Sequence, residues 1–489
     1  MEEERENPNP LPHVLIFPLP VQGPVNCMLK LAELLCLAGG ITITFLNTDH
    51  NHRRLLACTD IENRFSKYPT FQFATVPDGL PEENPRSGDR FMEIFDGLEK
   101  MATPLLKKML APGGMSKNVN CLIADGILNF AHDVADEVGV PVIYFETISP
   151  CGLWACFCLQ KLIDSGEVPF EGNDLDVLIN NVPGMEGFLR RRDLPNFYRV
   201  NDLKNHPLVG KLVLENRRVP EARGLILNTF EELDGPIALA QIRCLVPNVY
   251  SIGPIHSYLK SQLAKTQSIT SKDSTNSLWK EDRSCMNWLD QQPDKSVIYV
   301  SIGSLAVMEK HQVIEFWYGL VNSCRRFLWV RRPNAVIAGG DLLNEEIPDE
   351  IKKATEERGC LVSWAPQEDV ISHRAIAGFF THSGWNSTLE SIVSGVPMLC
   401  WPQFFDQLVN GRMVSEIWKI GLDMKDTCDR VVIERLINEL VEEGKREKFA
   451  GSANELARMA EQSIMENGSS QSNFKRLVDD IKSMVNVNL

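Results

Sequence analysis

The sequence predicts an α/β protein built from two doubly wound parallel sheets, and three observations support this fold class. The chain has 489 residues, which exceeds the roughly 250 to 300 residues that a single core usually reaches. Its opening residues alternate a buried strand, a helix and a second strand. The same alternation restarts after a polar stretch in the middle of the chain. Strands that alternate with helices favour parallel sheets covered on both faces.

The opening segment contains a βαβ pattern. HVLIFPL is typical of a buried strand, Gln22-Gly23 of a tight turn, and Val25 to Leu37 of a helix with apolar residues at helical spacing. ITITFLN then predicts a β-branched second strand. A later predicted strand, NCLIAD, ends at Asp125. Because open α/β sheets bind ligands at the carboxyl ends of their strands, Asp125 is a candidate functional residue.

A polar segment divides the chain. Residues 256–280 are rich in Ser, Thr and Lys and lack apolar periodicity, so we interpret them as a linker. The linker would separate an N-terminal Rossmann-like domain, 1–255, from a C-terminal one, 281–465. The predicted strands of the second domain are SVIYVSIGS, FLWVRR, GCLVSW, AGFFTHSG and PMLCW. Residues 466–489 predict an amphipathic helix that could dock on either domain, and we assign it to the first.

Composition argues against several classes of function. The chain has 65 acidic and 50 basic residues and a formal charge of −15, which repels nucleic acid and anionic membrane surfaces. The first residues lack the basic and apolar regions of a secretory signal, and no apolar stretch is as long as a membrane span. The 13 cysteines lie mostly in apolar segments, which is typical of buried thiols in a reducing compartment. We expect a cytoplasmic protein without a nucleic-acid partner or membrane span, and a monomer.

The segment THSGWNSTLESIVSG predicts a strand ending at His382, a glycine turn and a helix beginning near Asn386. Free N–H groups at a helix start, together with the helix dipole, suit a diphosphate. His382 and Asn386 would add further donors. The competing interpretation is structural: Asn386 or Ser387 caps the helix, and Ser387-x-x-Glu390 forms a capping box. Taken alone, the fragment favours the structural interpretation.

Other residues nearby are ambiguous one by one. Trp364 fits a core aromatic, His373 a satisfied polar residue, and Asp406-Gln407 a helix start. Neither an H-E-x-x-H metal pattern nor a glycine-rich dinucleotide fingerprint after the first strand is present. We therefore expect neither zinc hydrolysis nor hydride transfer, and no metal or cofactor.

The joint order and spacing of these residues is a stronger signal. WAPQEDVISHRAIAGFFTHSGWNSTLESIVSGVPMLCWPQFFDQ resembles the complete signature box of plant secondary-product UDP-glycosyltransferases: W-x-P-Q, a later H, H-x-G-W-N-S-x-x-E, G-V-P and a closing D-Q. PLPVQG, NHRRLL, NTFEELD, SIGPI, YVSIGS and WVRR extend the resemblance over nearly the whole chain. The resemblance implies a GT-B fold, in which two Rossmann-like domains face each other. The acceptor would bind mainly to the first domain and the donor mainly to the second.

The resemblance also implies a role for each matching residue. Uracil would stack on Trp364 and contact the backbone of Ala365, while Gln367 and Glu390 would bind the ribose. The diphosphate would be held by His382, Asn386, Ser387 and Ser304. The sugar hydroxyls would be bound by Trp385, Asp406, Gln407 and Thr147. A closing glutamine generally accompanies glucose as donor in this family, so the expected co-substrate is UDP-glucose.

The acceptor half departs from the family pattern at one position. Inverting transfer needs a base for the acceptor's proton, a contribution of roughly 10²- to 10⁴-fold. The family uses a histidine in the pattern Q-G-H, held by an aspartate from a later strand. Asp125 matches the aspartate, but Pro24, in VQGPVN, takes the place of the histidine. A proline is harmless in the first turn of a helix, but it cannot accept a proton.

Three hypotheses address how the acceptor is activated. Asp125 could act as the base, directly or through a water molecule. The acceptor could be acidic enough to need little help, as a carboxylic acid, a phenol or a hemiacetal is. Alternatively, the protein could be a pseudoenzyme that binds UDP-sugar or a small acceptor without turnover, although the intact donor box argues against this. His50 is a weaker candidate for a replacement base, and His52 is expected to have a structural or acceptor-side role.

The acceptor site is expected in loops of the first domain: after Asp125, from Thr147 to Gln160, and around FLRRRDLPNFYR. Apolar and aromatic residues there suit a small lipophilic molecule. By overall resemblance the chain is similar to glycosyltransferases of terpenoids, iridoids and related aglycones. The expected acceptor is thus a terpenoid, iridoid or phenolic metabolite with a hydroxyl or carboxyl group. Arg190, Arg191 and Arg192 form a basic run that either attracts an acidic acceptor or is a solvated loop face.

Overall fold

The chain forms two parallel sheets, each covered by helices. The structure is a computed structural model that describes residues 11–114, 118–200, 202–203, 205–266, 275–332 and 348–484. Within these residues the first sheet has seven strands and the second has six, and every pairing within the sheets is parallel. The predicted α/β class is confirmed.

The first domain carries the longer sheet. Its strands are β1 His13–Phe17, β2 Thr42–Thr48, β3 Phe71–Val76, β4 Cys121–Asp125, β5 Val142–Glu146, β6 Gly224–Leu227 and β7 Val249–Ser251. Its helices are α1 Gln22–Ala38, α2 Asp49–Cys58, α3 Ile61–Ser66, α4 Phe91–Leu110, α5 Asn129–Val138, α6 Pro150–Phe157, α7 Leu159–Asp164, α8 Pro207–Arg218, α9 Glu231–Asp234, α10 Ala240–Leu245 and α11 Ile255–Lys265.

The second domain repeats this arrangement. Its strands are β8 Val297–Ser301, β9 Arg326–Val330, β10 Gly359–Val362, β11 Ile376–Thr381, β12 Met398–Cys400 and β13 Gly421–Asp423. The helices that follow α11 are α12 Ser284–Asp290, α13 Lys310–Asn322, α14 Asp349–Arg358, α15 Gln367–Ile371, α16 Trp385–Val393, α17 Gln407–Arg412, α18 Arg430–Val441, α19 Glu443–Ile464 and α20 Ser469–Ser483.

Both sheets reverse their strand order at a single point. The orders are β3-β2-β1-β4-β5-β6-β7 and β10-β9-β8-β11-β12-β13. The reversal therefore lies between β1 and β4 in the first domain and between β8 and β11 in the second. In open α/β sheets, the crevice at the carboxyl ends of such a strand pair is where ligands bind. The fold thus provides two such crevices, one in each domain.

The start of α1 differs from the prediction. The helix begins at Gln22, so Gln22-Gly23 form its first turn, and the chain reverses one step earlier, where the Val21 N–H donates to the carbonyl of Leu19 (2.8 Å). Pro24 is the third residue of this helix. Its missing N–H is harmless because the first turn of a helix has no internal acceptors for such groups.

The segment 256–280 is not irregular throughout, as a linker would be. Its first part belongs to α11, which buries Ile255, Tyr258, Leu259 and Leu263 in the core of the first domain. The apolar residues of α11 have helical spacing, but the Ser, Thr and Lys content of the whole segment led to its interpretation as a linker. Residues 267–274 lie outside the described part of the chain, and residues from 275 onward pack against both domains, as described below.

The last helix returns to the first domain. α20 contributes Phe474, Leu477 and Ile481 to the core that also contains β1, and the Tyr250 hydroxyl of β7 donates to Asp480 Oδ2 (2.5 Å). Residues 485–489 of the predicted C-terminal segment lie outside the described residues. In the described ranges, no helix is long and apolar enough to cross a bilayer. All 13 cysteines are free thiols.

The basic run joins the two domains. Arg192 Nη1 lies 2.9 Å from Asp426 Oδ2, and Arg199 Nη1 lies 3.0 Å from Oδ1 of the same carboxylate. Arg190 is buried and its Nη2 lies 3.6 Å from Asp423 Oδ2 of the second domain. Both interpretations of the run, as an attractor of acidic acceptors or as a solvated face, are therefore wrong for Arg190 and Arg192, which form interdomain ion pairs.

Candidate active site

A cleft runs between the two domains at the carboxyl ends of the sheets. Pro24 lines it on the side of the first domain. Its walls also contain every predicted donor residue except Asp406: Thr147, Ser304, Trp364, Ala365, Gln367, His382, Trp385, Asn386, Ser387, Glu390 and Gln407. Asp125 and Asp406 are buried and do not line the cleft.

The start of α16 decides between the two interpretations of its sequence. The N-cap residue is Gly384, with no side-chain cap, and Ser387 is the third residue of the helix. Gln367 Nε2 donates to Ser387 Oγ (2.9 Å) and to Glu390 Oε2 (2.7 Å). The predicted capping roles of Asn386, Ser387 and Glu390 are therefore wrong. The first amides of α16 have no intrahelical acceptors, which leaves them available for an anion in the cleft.

His382 is packed against two glycines next to this helix start. A Cβ atom on Gly303 or on Gly384 would lie 2.4 Å from its Nε2, so only glycine fits at either residue. Burial, followed by the charge of Arg332, lowers the pKa of His382 to about 4. The imidazole is therefore neutral at pH 7. A neutral imidazole donates one N–H, which suits a phosphate oxygen.

Trp364 is the end of an aromatic stack that crosses between the domains. Its ring is stacked on Trp279, with centroids 4.7 Å apart, and the guanidinium carbon of Arg54 lies 4.5 Å from the Trp279 centroid. Arg54 Nε also donates to the carbonyl of Leu278 (2.8 Å). The stack fixes the orientation of the Trp364 ring, which lines the cleft.

The sequence analysis missed the wall formed by residues 275–283. Thr275, Ser277, Glu281 and Arg283 line the cleft, although all but the last two lie in the predicted linker. Gln22 secures this wall to the first domain, since its Oε1 accepts from Leu278 N (2.7 Å). A tryptophan inside an otherwise polar stretch was the available signal.

A second missed feature is an ion pair across the cleft. Lys30 Nζ of α1 lies 2.5 Å from Glu368 Oε1 of α15, and both residues line the cleft. Burial by itself would raise the pKa of Glu368, but the charges of Lys30 and His256 lower it to about 2. Glu368 is thus ionised, and its charge, after the effect of burial, helps raise the pKa of Glu390 to about 7.

Gln407 and Asp406 have different surroundings despite being neighbours. Gln407 Oε1 accepts from the amides of Gln403 (3.0 Å) and Phe404 (3.2 Å), which leaves its Nε2 as the donor available to the cleft. Asp406 Oδ2 instead accepts from the amide of Ser149 in the first domain (2.9 Å). Asp406 does not line the cleft, so its role in sugar binding stays a prediction.

The acceptor half places Asp125 behind the cleft wall. Its side chain is buried, its Oδ2 accepts from Thr147 Oγ1 (3.0 Å), and its other donors are the amides of Ile127 and Leu19. Burial raises the pKa of Asp125 to about 7, against the lowering effect of these hydrogen bonds. A carboxylate with this pKa is a stronger base than an exposed one, and about half of it is ionised at pH 7.

Two further carboxyl groups lie near Asp125. Burial, and then the charge of Glu215, raises the pKa of Glu146 well above its usual value. Burial likewise raises the pKa of Glu215 to about 8, with a contribution from Asp125. Gly126, which follows Asp125 in the chain, packs directly on the Glu146 carboxyl, since a Cβ atom on Gly126 would lie 1.6 Å from Glu146 Oε1. The first domain therefore contains a buried group of acidic side chains near the point where the strand order of its sheet reverses, between β1 and β4.

The two histidines considered as alternatives do not line the cleft. Burial and the charges of Arg86 and Arg54 lower the pKa of His50. The His52 ring lies 5.1 Å from the Phe73 ring, centroid to centroid. His50 therefore has no support as a replacement base, and the contact of His52 fits the structural role expected for it.

Comparison with known proteins identifies the class and then the family. The architecture matches that of Os79 from O. sativa in complex with UDP, with a TM-score of 0.77 and 26% identity over 96% of this chain and 100% of that one. Two facing Rossmann-like domains around a cleft define the GT-B class, as expected.

The sequence relatives are plant glycosyltransferases. The chain is 52% identical to a 7-deoxyloganetic acid glucosyltransferase of Catharanthus roseus, over 98% of both chains. It is 43% identical to a myricetin 3-O-rhamnoside 1,2-glucosyltransferase of Crocosmia x crocosmiiflora, over 96% of both. The profile of the UDP-glucoronosyl and UDP-glucosyl transferase family matches residues 255–443. The chain belongs to this family and is a UDP-glycosyltransferase.

Proposed function

We propose that this enzyme is an inverting glucosyltransferase that transfers glucose from UDP-glucose to a small lipophilic plant metabolite, with Asp125 as the base. The observation that carries the proposal is the cleft itself, where the donor residues of the second domain face Pro24 and Thr147 of the first. Asp125 lies directly behind Thr147. A carboxylate that is one hydrogen bond away from a residue lining the cleft supports turnover.

The donor assignments are supported by the geometry of individual side chains. Trp364 presents an aromatic face for uracil, and α16 begins at the cleft with free amides for the diphosphate. Gln407 Nε2 is the donor left for a sugar hydroxyl. These contacts support UDP-glucose as the donor.

The acceptor class is supported by an aromatic contact between the domains and by the relatives. The Phe405 ring lies 5.5 Å from Phe91 and 6.0 Å from Phe197, centroid to centroid. The neighbouring Phe404 lines the cleft. Aromatic walls suit a lipophilic ligand, and the name of the 52% identical relative refers to an iridoid acid. We therefore assign the acceptor to the iridoid or terpenoid class.

The test is turnover of UDP-glucose with a panel of iridoid and terpenoid alcohols, phenols and carboxylic acids, with products analysed by mass spectrometry and NMR. We expect a glucoside of inverted configuration. Asp125→Asn should lower kcat on alcohol acceptors by about 10²-fold or more, and Pro24→His added to Asp125→Asn should recover part of that rate. The matched control is Asp96→Asn, which changes an exposed aspartate of the same domain.

The outcomes separate the hypotheses. Full activity of Asp125→Asn on an alcohol would exclude the aspartate base. Turnover restricted to acids and phenols, and insensitive to Asp125→Asn, would mean that the acceptor ionises without help. Failure of every acceptor, with UDP still binding, would indicate a pseudoenzyme.

A further inference from the structure

Asp125 has no direct access to a substrate in the cleft. Its side chain is 3% exposed and does not line the cleft. Its carboxylate accepts hydrogen bonds from the amides of Leu19 and Ile127 and from the Thr147 hydroxyl. Among the described residues, Thr147 is the one partner in this set that also lines the cleft.

Among the described residues of the neighbouring wall, Pro24, Gln22 and Lys30 do not connect Asp125 to the cleft. Pro24 has a tertiary amide nitrogen and carries no exchangeable proton. Gln22 is engaged with Leu278 N and the Asn276 carbonyl, and Lys30 with Glu368. Gln22 thus contacts the wall at 275–283, and Lys30 contacts the second domain. Neither side chain hydrogen-bonds to Asp125.

We infer that Thr147 is a catalytic residue that relays the acceptor's proton to Asp125, so that a Thr147–Asp125 pair performs the task of the missing histidine. This inference rests on the proposed glucosyl transfer and specifies how the proton leaves. A hydroxyl group is able to do this because it donates one hydrogen bond and accepts others at the same time. Thr147 already donates to Oδ2 of Asp125, which leaves its lone pairs for a substrate hydroxyl.

The transfer step forms one bond and breaks one at the anomeric carbon. The acceptor oxygen forms a bond to the anomeric carbon as the bond from that carbon to the UDP oxygen breaks, and UDP leaves with the electron pair. The acceptor's proton moves to Thr147 Oγ1 while the original Thr147 proton moves to Asp125 Oδ2. The products are the glucoside, UDP and a protonated Asp125, which returns its proton to solvent by the same route. Thr147 is unchanged at the end and never carries a net charge.

The experiment compares Thr147→Val, which keeps the shape and removes the hydroxyl, with Thr147→Ser, which keeps the hydroxyl. With an alcohol acceptor, we expect Thr147→Val to lower kcat by about 10²-fold, with the Kd for UDP within twofold of wild type, and Thr147→Ser to retain most of kcat. Pro24→His added to Thr147→Val should restore turnover, because a histidine there accepts the proton directly. The matched control is Thr42→Val, which changes a threonine at the amino end of β2, away from the cleft.

A proton inventory under single-turnover conditions provides an independent measurement. Two protons in flight predict a curved dependence of rate on the deuterium fraction of the solvent, whereas one proton predicts a straight line. A linear inventory, a kcat for Thr147→Val within threefold of wild type, or no restoration by Pro24→His would each overturn the relay. A rise in KM for UDP-glucose at unchanged kcat would assign Thr147 to sugar binding alone.

The proposed function fails in a different way from the relay. If wild-type protein turned over no acceptor, or if Asp125→Asn kept full activity on alcohols, the proposed role of Asp125 as the base would be excluded. The relay would then be excluded as well. If wild type were active and sensitive to Asp125→Asn but insensitive to Thr147→Val, only the relay would be overturned.

Discussion

Gly152 is a residue where the backbone of one domain meets a side chain of the other. It lies in α6, and a Cβ atom there would be 2.3 Å from Asp406 Cβ and 2.9 Å from Ser149 Oγ. Asp406 is held at this point by the Ser149 amide and by Asn410 Nδ2, each 2.9 Å from its Oδ2. The contact between α6 and the start of α17 therefore depends on the absence of a side chain at residue 152.

Replacing Gly152 with alanine should separate the two domains at this contact. We expect a lower Tm and reduced turnover, because Asp406 would lose its bond to Ser149. Gly210→Ala is the matched control: it also lies in a helix, nothing lies within 4 Å of its added Cβ, and alanine is favoured over glycine there by up to about 1 kcal/mol. Thermal unfolding of both variants provides the comparison. A Gly152→Ala protein as stable as Gly210→Ala would contradict the expectation.

The protonation of Asp125 predicts a pH dependence of turnover. The base must be ionised to take a proton, and burial raises the pKa of Asp125 to about 7. With an alcohol acceptor, kcat/KM should therefore increase as pH rises towards 7 and level off above it. A rate profile over pH 5 to 9 measures this. An increase complete by pH 5 would show that the group being titrated is a carboxyl of ordinary pKa.

The segment 275–283 shows how an element without regular structure forms part of a site. Its amides and side chains are held by Gln22, Arg54 and Arg64 of the first domain, while Trp279 stacks on Trp364 of the second. Contact with both domains makes it a wall of the donor cleft. The stack with Arg54 should keep the Trp364 ring in place before the donor arrives.

Loss of this stack should weaken donor binding without affecting the acceptor chemistry. We expect Trp279→Leu to raise the Kd for UDP by about threefold to tenfold, because aromatic pairs contribute roughly 0.5–1.5 kcal/mol. Isothermal titration calorimetry with UDP measures this. Trp288→Leu, a change of the same kind in α12 outside the cleft, should leave the Kd unchanged. Equal effects of the two variants would mean that the stack does not orient Trp364.

Both domains contain buried carboxyl groups with a raised pKa. Burial raises the pKa of Asp125 and Glu390 to about 7 and that of Glu215 to about 8. A raised pKa means that the folded state binds protons which the unfolded state has already lost. The stability from these groups is complete at low pH and decreases as pH rises through 7 to 8.

Thermal unfolding between pH 6.5 and 8.5 should show this decrease. His256 and His382, whose pKa values burial lowers to about 4, are neutral in the folded state throughout this window. Their unfolded forms lose protons near pH 6.5, so these two groups oppose the decrease at the low end of the window and have no effect near its upper end. Glu215→Gln removes one titrating group, so its Tm should fall less over the window than that of wild type. Glu221→Gln, at an exposed glutamate, should behave as wild type. Identical slopes for all three proteins would exclude Glu215 as a source of the dependence.

Much of the fold and most of the donor site could be predicted because their signals are local. Buried strands at β1, β4, β8 and β11 are mostly apolar runs, and β2 is rich in β-branched residues. The residues that follow these strands reach the carboxyl edge of a parallel sheet. The candidate donor residues from Trp364 to Gln407 lie in one stretch of chain, so their order and spacing could be matched to the signature box of the family. The helix α11 has apolar residues at helical spacing, but it was not predicted because the polar composition of residues 256–280 was given more weight than that spacing.

The sequence by itself determined the α/β class, the two domains, the family resemblance and the replacement of a histidine by Pro24. Only the tertiary structure decided that Asp125 lies behind Thr147, that Asp406 contacts Ser149, and that the arginine run joins the domains. These contacts connect residues far apart in the chain, as with the separation of 257 between Ser149 and Asp406. No local sequence pattern predicts such a pair, because the two residues meet only after both sheets have formed and their carboxyl edges face each other.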